Sequence, residues 1–118
     1  MSESFKNLKV WKESMRFTTL VYTLTKKYPK EEIFGLVSQL RRAAVSIPAN
    51  ISEGSSRQSK KDYGRFIEIA VGSLNEIETM IEISLALGYI TQDVYQVAQK
   101  DIIALGKLLG GFRNYLKK

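Results

Sequence analysis

The chain contains no cysteine and no histidine. Without cysteine it has no disulfide framework, no thiolate nucleophile and no sulfur ligand for a metal, so a cytoplasmic home is expected. Without histidine it lacks the commonest general base, the commonest metal ligand and the usual switch near neutral pH. Zinc held by its usual nitrogen and sulfur donors is excluded. No run of about 18 apolar residues exists to span a membrane, and Met1–Lys6 lacks the apolar stretch of a signal peptide. A glycine-rich strand-to-helix turn that could cradle phosphates is missing, and strand-type alternation is weak throughout. Catalysis would have to rest on Asp, Glu, Lys, Tyr or Ser alone. The chain is therefore expected to be non-enzymatic, with no cofactor and no metal.

What is present is helical periodicity. The 118 residues are 44% hydrophobic and 25% charged, enough apolar material for one core and one domain spanning 1–118. A first helix is predicted from about Leu8 to Tyr28, with Asn7 as its cap, a seam of Val10, Phe17, Val21, Leu24 and Tyr28, and Pro29 as its stop. A second is predicted from near Lys30 to Gly54 along Ile33, Val37, Leu40, Ala44, Ile47 and Ile51. Pro48 falls inside it, and because the seam keeps its register on both sides, a kinked continuous helix is expected rather than two. Ser59 opens the third helix, which runs along Tyr63, Ile67, Ala70, Leu74, Ile77, Ile81 and Leu85 to a stop at Gly88. Thr91 caps the fourth, with a seam of Ala98, Ile102, Leu105, Leu109, Phe112 and Leu116. Four such helices joined by short loops make an all-α, antiparallel up-and-down four-helix bundle, helix two kinked near Pro48.

Helix three carries a second apolar line, Phe66, Ile69, Met80, Ile83 and Leu87, which a single bundle does not need. A helix that is apolar over most of its circumference is buried on most sides, so a homo-oligomer is expected.

The net charge of +6 and pI of about 9.6 favour a polyanionic partner, RNA or DNA. Residues 1–29 carry six Lys/Arg against two Glu, and residues 89–118 five against two Asp, whereas residues 59–88 carry three against five Asp/Glu. Helices one and four placed side by side would form a basic face from Lys6, Lys9, Lys12, Arg16, Lys100, Lys107, Arg113, Lys117 and Lys118. Few aromatics interleave with these cations, which argues against reading single strands by base stacking. The alternative is a protein–protein interaction scaffold with no nucleic-acid role, whose protein partner the sequence does not name.

Two polar sets remain. Glu68, Glu76, Glu78 and Glu82 share helix three, but a di-metal centre would need Glu-x-x-His pairs that are absent, so pairing with Arg41 and Arg42 is the better use. Gln39, Arg42, Ser46, Asn50 and Glu53 line one face of helix two and are expected to join Glu76 or Glu78 in a structural polar network.

The central run Ser38-Gln39-Leu40-Arg41-Arg42-Ala43-Ala44-Val45-Ser46-Ile47-Pro48-Ala49-Asn50-Ile51-Ser52-Glu53-Gly54 carries a resemblance, supported by Phe5-x-x-Leu8-x-Val10-Trp11, Tyr28-Pro29-x-Glu31-Glu32-x-Phe34-Gly35-Leu36 and Ala70-Val71-Gly72-Ser73-Leu74-Asn75-Glu76. In these elements the chain resembles the four-helix-bundle proteins encoded within intervening sequences of 23S ribosomal RNA genes. Ser52 departs from the alanine common there. The resemblance implies an up-and-down bundle assembled as a ring-like homopentamer, with no established enzymatic activity. A similar accessory protein of diversity-generating retroelements works with a reverse transcriptase and is thought to contact nucleic acid through a basic surface.

Overall fold

The computed structural model describes residues 4–118, so Met1–Glu3, part of the stretch read for a signal peptide, lie outside the described residues. Four helices form: α1 (Lys9–Thr25), α2 (Leu36–Ser55), α3 (Lys60–Ala86) and α4 (Gln92–Leu116). No strand occurs among the described residues. Each helix packs on the next in sequence, and α1 closes the ring against α4, in a body 45 × 24 × 20 Å.

Local chemistry sets most helix ends. The Ser59 hydroxyl accepts from the Asp62 N–H, and the Thr91 hydroxyl from the Val94 N–H, each satisfying one donor of a first turn. Gly88, at φ +78°, ends the chain's passage out of α3 in the left-handed region that glycine reaches without strain. The first helix differs from expectation at both ends. Asn7 lies in a short 3-10 turn, Phe5–Asn7, capped by the Ser4 side chain, and the α1 cap is Leu8 without a side-chain bond. At the other end α1 stops at Thr25, and the turn closes through the Tyr28 N–H to the Thr25 carbonyl ahead of Pro29. The second helix begins six residues later than Lys30. Lys30–Glu32 form a 3-10 turn, and the Glu32 carboxylate then caps α2 by accepting from the Leu36 N–H at 3.0 Å.

The core follows the expected seams closely. Val10, Phe17, Val21, Leu40, Ala44, Ile47, Ile51, Ile67, Ala70, Ile77, Ile81, Ala98, Ile102, Leu105 and Leu109 are all buried. Leu24, Tyr63, Leu85 and Phe112 are half-buried at its edges, and Ile33 lies before α2 begins and is exposed. Three polar residues join the core, Ser14, Thr25 and Ser84. Each bonds a carbonyl in its own helix, Trp11, Val21 and Met80 respectively, which removes the cost of burying an unpaired hydroxyl.

α2 continues unbroken through Pro48, which is itself buried. Proline has no N–H, so the carbonyl four residues earlier, that of Ala44, loses its helical partner. The Thr18 hydroxyl of α1 lies 3.1 Å from that carbonyl and 2.8 Å from the carbonyl of Ser14. A neighbouring helix thus brings a hydroxyl, whose one proton the Ser14 and Ala44 carbonyls share, to the place where the proline withholds a donor.

Candidate polyanion-binding surface

The nine cations expected on a basic face are distributed unequally. Lys6 is exposed in the 3-10 turn before α1, Lys9, Lys12 and Arg16 are exposed in the first half of α1, Lys100 and Lys107 are exposed along α4, and Lys117 and Lys118 are exposed at its end. Arg16 pairs with Glu13 at 3.3 Å. α1 and α4 do pack together, but Glu13 and Asp101 sit in the seam between them beside Arg16, so that seam is of mixed sign.

A denser cationic site lies at the end of the bundle where α3 starts and α4 finishes. Lys60, Lys61, Arg65, Arg113 and Lys117 line a groove of about 470 Å³ together with one carboxylate, Glu68. Arg113 donates to Glu68 at 3.3 Å, and its Nε is buried with no partner among the described residues. The Lys60 ammonium sits 4.9 Å over the Tyr115 ring, which anchors the groove's rim.

Sequence reading named Arg113 and Lys117 but not Lys60, Lys61 or Arg65. The three belong to a segment of net negative charge, and averaging over that segment hid its polarity. All of the segment's cations fall in residues 60–65, while Glu68, Glu76, Glu78 and Glu82 follow. One signal was available: Lys60 and Lys61 occupy a helix's first turn, where positive charge opposes the helix dipole.

The polar row on α2 is mostly an exposed ridge. Gln39, Arg42 and Glu53 are exposed, and Ser46 and Asn50 are half-buried. The Asn50 amide donates to Ser46 Oγ at 2.9 Å, and Ser73 of α3 donates to the same oxygen at 3.0 Å. Glu53 pairs instead with Arg57, whose guanidinium covers the Phe66 ring at 4.7 Å. The structure therefore brings together Ser46, Asn50 and Ser73. It does not bring Gln39, Arg42, Glu53 or Glu76 into that cluster. The small side chains of Ser46 and Ser73 meet between the helices, while Arg42 lies one turn away on the solvent side. Arg41 rather than Arg42 turns inward, donating to Thr25 Oγ1 at 3.0 Å and stacking 4.5 Å over Tyr22.

The carboxylates of α3 also find other uses. Glu82 accepts from the Tyr95 hydroxyl and from the Gln99 amide at 3.3 Å. Among the described residues no three of them converge as a metal site would require. Hydrogen bonds from the Leu36 N–H and then from the Tyr89 hydroxyl lower the Glu32 carboxyl. Burial raises the Tyr28 phenol against the opposing effect of its bond to Ser84.

Beside the ridge, between α1 and α2, lies an open groove of about 850 Å³. Tyr22, Phe34 and Val45 give it apolar walls, and Lys26, Lys30, Arg41 and Arg42 give it positive charge. Phe34 is 96% exposed.

The family described as 23S rRNA-intervening sequence protein matches residues 6–111. A solved structure from Bacteroides thetaiotaomicron, described as a protein of unknown function from the S23 ribosomal protein family, is 31% identical. It superposes with a TM-score of 0.78 over 85% of this chain and 94% of its own. No curated protein matches. With the family match covering nearly all of the four helices, the chain belongs to the 23S rRNA-intervening sequence protein family.

Proposed function

We propose that this chain is a non-enzymatic, cytoplasmic, homo-oligomeric bundle, pentameric as the family resemblance implies, that binds structured RNA or DNA through its basic surface. The observation that carries the reading is the groove at the α3–α4 end, where five cations face one carboxylate. Phosphate contacts of this kind position a nucleic acid without reading its bases. The exposed lysines of α1 and α4 extend the positive field around the groove.

The same reading takes the bundle as up-and-down, with antiparallel neighbours and α2 bent at Pro48. Cross-helix pairs support the antiparallel sense. Thr18 meets Ala44 and Thr25 meets Arg41. Ser46 meets Ser73, and Gly54 abuts Tyr63. Glu82 meets Tyr95, and Glu68 meets Arg113. In each set the numbers rise on one helix as they fall on the other.

Fluorescence anisotropy with a labelled ribosomal RNA hairpin tests the function. If about four phosphates are neutralised per groove, the affinity should fall by roughly three to four decades per tenfold rise in salt. The triple variant K60A/K61A/K117A should weaken binding at low salt and flatten that dependence by about three of those units. Absence of binding at low salt, or an unchanged salt dependence in the variant, would overturn the proposal.

A further inference from the structure

The groove between α1 and α2 and the outer face of α3 have the complementary features of two halves of one contact. The groove presents Phe34, almost fully exposed, with Arg42 beside it, and no carboxylate lines it. The outer face of α3 presents Ile69, Glu76 and Ile83, spaced seven residues apart and so aligned along one row, with Leu87 close by; all four are exposed. Arg42, Glu76 and Glu78 form no ion pair among the described residues. We infer that the α1–α2 groove of one copy receives the α3 face of a second copy, with Phe34 packed on Ile83 and Leu87 and Arg42 paired to Glu76. The inference rests on the homo-oligomeric reading above and gives that assembly its contact.

Charge decides the geometry. The groove set against itself would oppose Lys26, Lys30, Arg41 and Arg42 to the same four cations, and the α3 face against itself would oppose Glu76 to its copy. Like charges brought together across an interface are repulsive, so a two-fold pairing of either face is disfavoured. Groove against α3 joins opposite signs. Such a contact uses two different surfaces of each copy; unless two copies exchange it reciprocally it propagates head to tail, and it closes as a ring where the rotation between copies returns to the start. The apolar residues on both sides also lose water only if a partner covers them.

Light scattering after size-exclusion chromatography at micromolar concentration tests this. Wild type should elute as an oligomer. Phe34→Ala should weaken association by about thirtyfold or more, as loss of a central aromatic anchor does. Arg42→Glu and Glu76→Arg should each lower the mass. Mixing those two variants should raise it again, because each mixed contact joins opposite charges, although a ring of five keeps at least one like-charged contact. All these positions are exposed, so far-UV circular dichroism should stay that of wild type, confirming folded chains, while the melting temperature falls with the loss of assembly. A wild-type monomer would overturn the oligomeric reading and this contact together. A wild-type oligomer whose mass none of the variants changes would overturn the contact alone. Rescue by the double substitution in one chain, with no rise in mass at all on mixing, would show an intrachain pair and also overturn it.

Discussion

At the level of single residues, the bundle depends on a few polar side chains that stand in for missing backbone hydrogen-bond partners. Thr18 is the clearest. Its hydroxyl reaches the Ala44 carbonyl that Pro48 leaves without a helical partner. Thr18→Val keeps the shape and removes the donor, so a loss of about 1 kcal/mol is expected by urea denaturation. In a Pro48→Ala background the restored N–H serves Ala44 directly, and the same valine substitution should cost measurably less; a double-mutant cycle reads the difference. Glu32 does similar work outside a helix. Its carboxylate caps α2 through the Leu36 N–H and accepts from Tyr89 at 2.8 Å. Both bonds favour the charged form, so the folded-state value lies below 4.5 and the stabilisation is present above that pH. It is lost as the pH falls through the lowered value. Glu32→Gln should therefore shallow the acid limb of the melting-temperature profile while leaving its behaviour above pH 6 nearly flat.

Between elements, one close approach is where α2 ends against α3. A Cβ at Gly54 would stand 2.6 Å from the Tyr63 ring and 3.0 Å from Phe66 Cβ, the latter close to the α3 backbone. Gly54→Ala should force the helices apart at the cost of about 1–3 kcal/mol, seen as a lower denaturation midpoint. Sequence reading treated this glycine only as a helix stop, because its partners lie in the next helix and no local pattern reveals them. Ser59, Thr91 and Gly88 were legible as helix ends, since caps act within one turn. The apolar seams were legible too, because 3.6-residue periodicity is a property of the element itself. Ile33 and Tyr28 were placed in helices they do not join, because Pro29 and the 3-10 turn after it reset the phase. Burial of Ser14 and Thr25 escaped notice because each hydroxyl is satisfied within its own helix. The candidate basic groove was half legible: Arg113 and Lys117 belong to an evidently basic segment, while Lys60, Lys61 and Arg65 join them only through the packing of α3 on α4.

On the scale of the whole molecule, the two proposed surfaces lie on separate parts of the chain, so assembly and polyanion binding can be separated experimentally. The basic groove is built from the start of α3 and the end of α4, whereas the copy-to-copy contact uses Phe34, Arg42 and the middle and end of α3. A ring carrying one groove per copy would bind a long duplex at several points, and each further contact would be intramolecular, raising avidity by about 10²–10⁴ over a single groove. A hairpin long enough for one groove gains nothing from the ring. Phe34→Ala should therefore bind a short hairpin with wild-type affinity and salt dependence, yet bind a long RNA duplex about a hundredfold more weakly or worse. The variant K60A/K61A/K117A should do the reverse in one respect, losing affinity for both lengths while its mass by light scattering stays that of wild type. Parallel titrations of the two RNAs, each with the mass measured in the same buffer, would resolve these outcomes. Equal losses for short and long RNA in Phe34→Ala would mean that the copies do not act together on one nucleic acid.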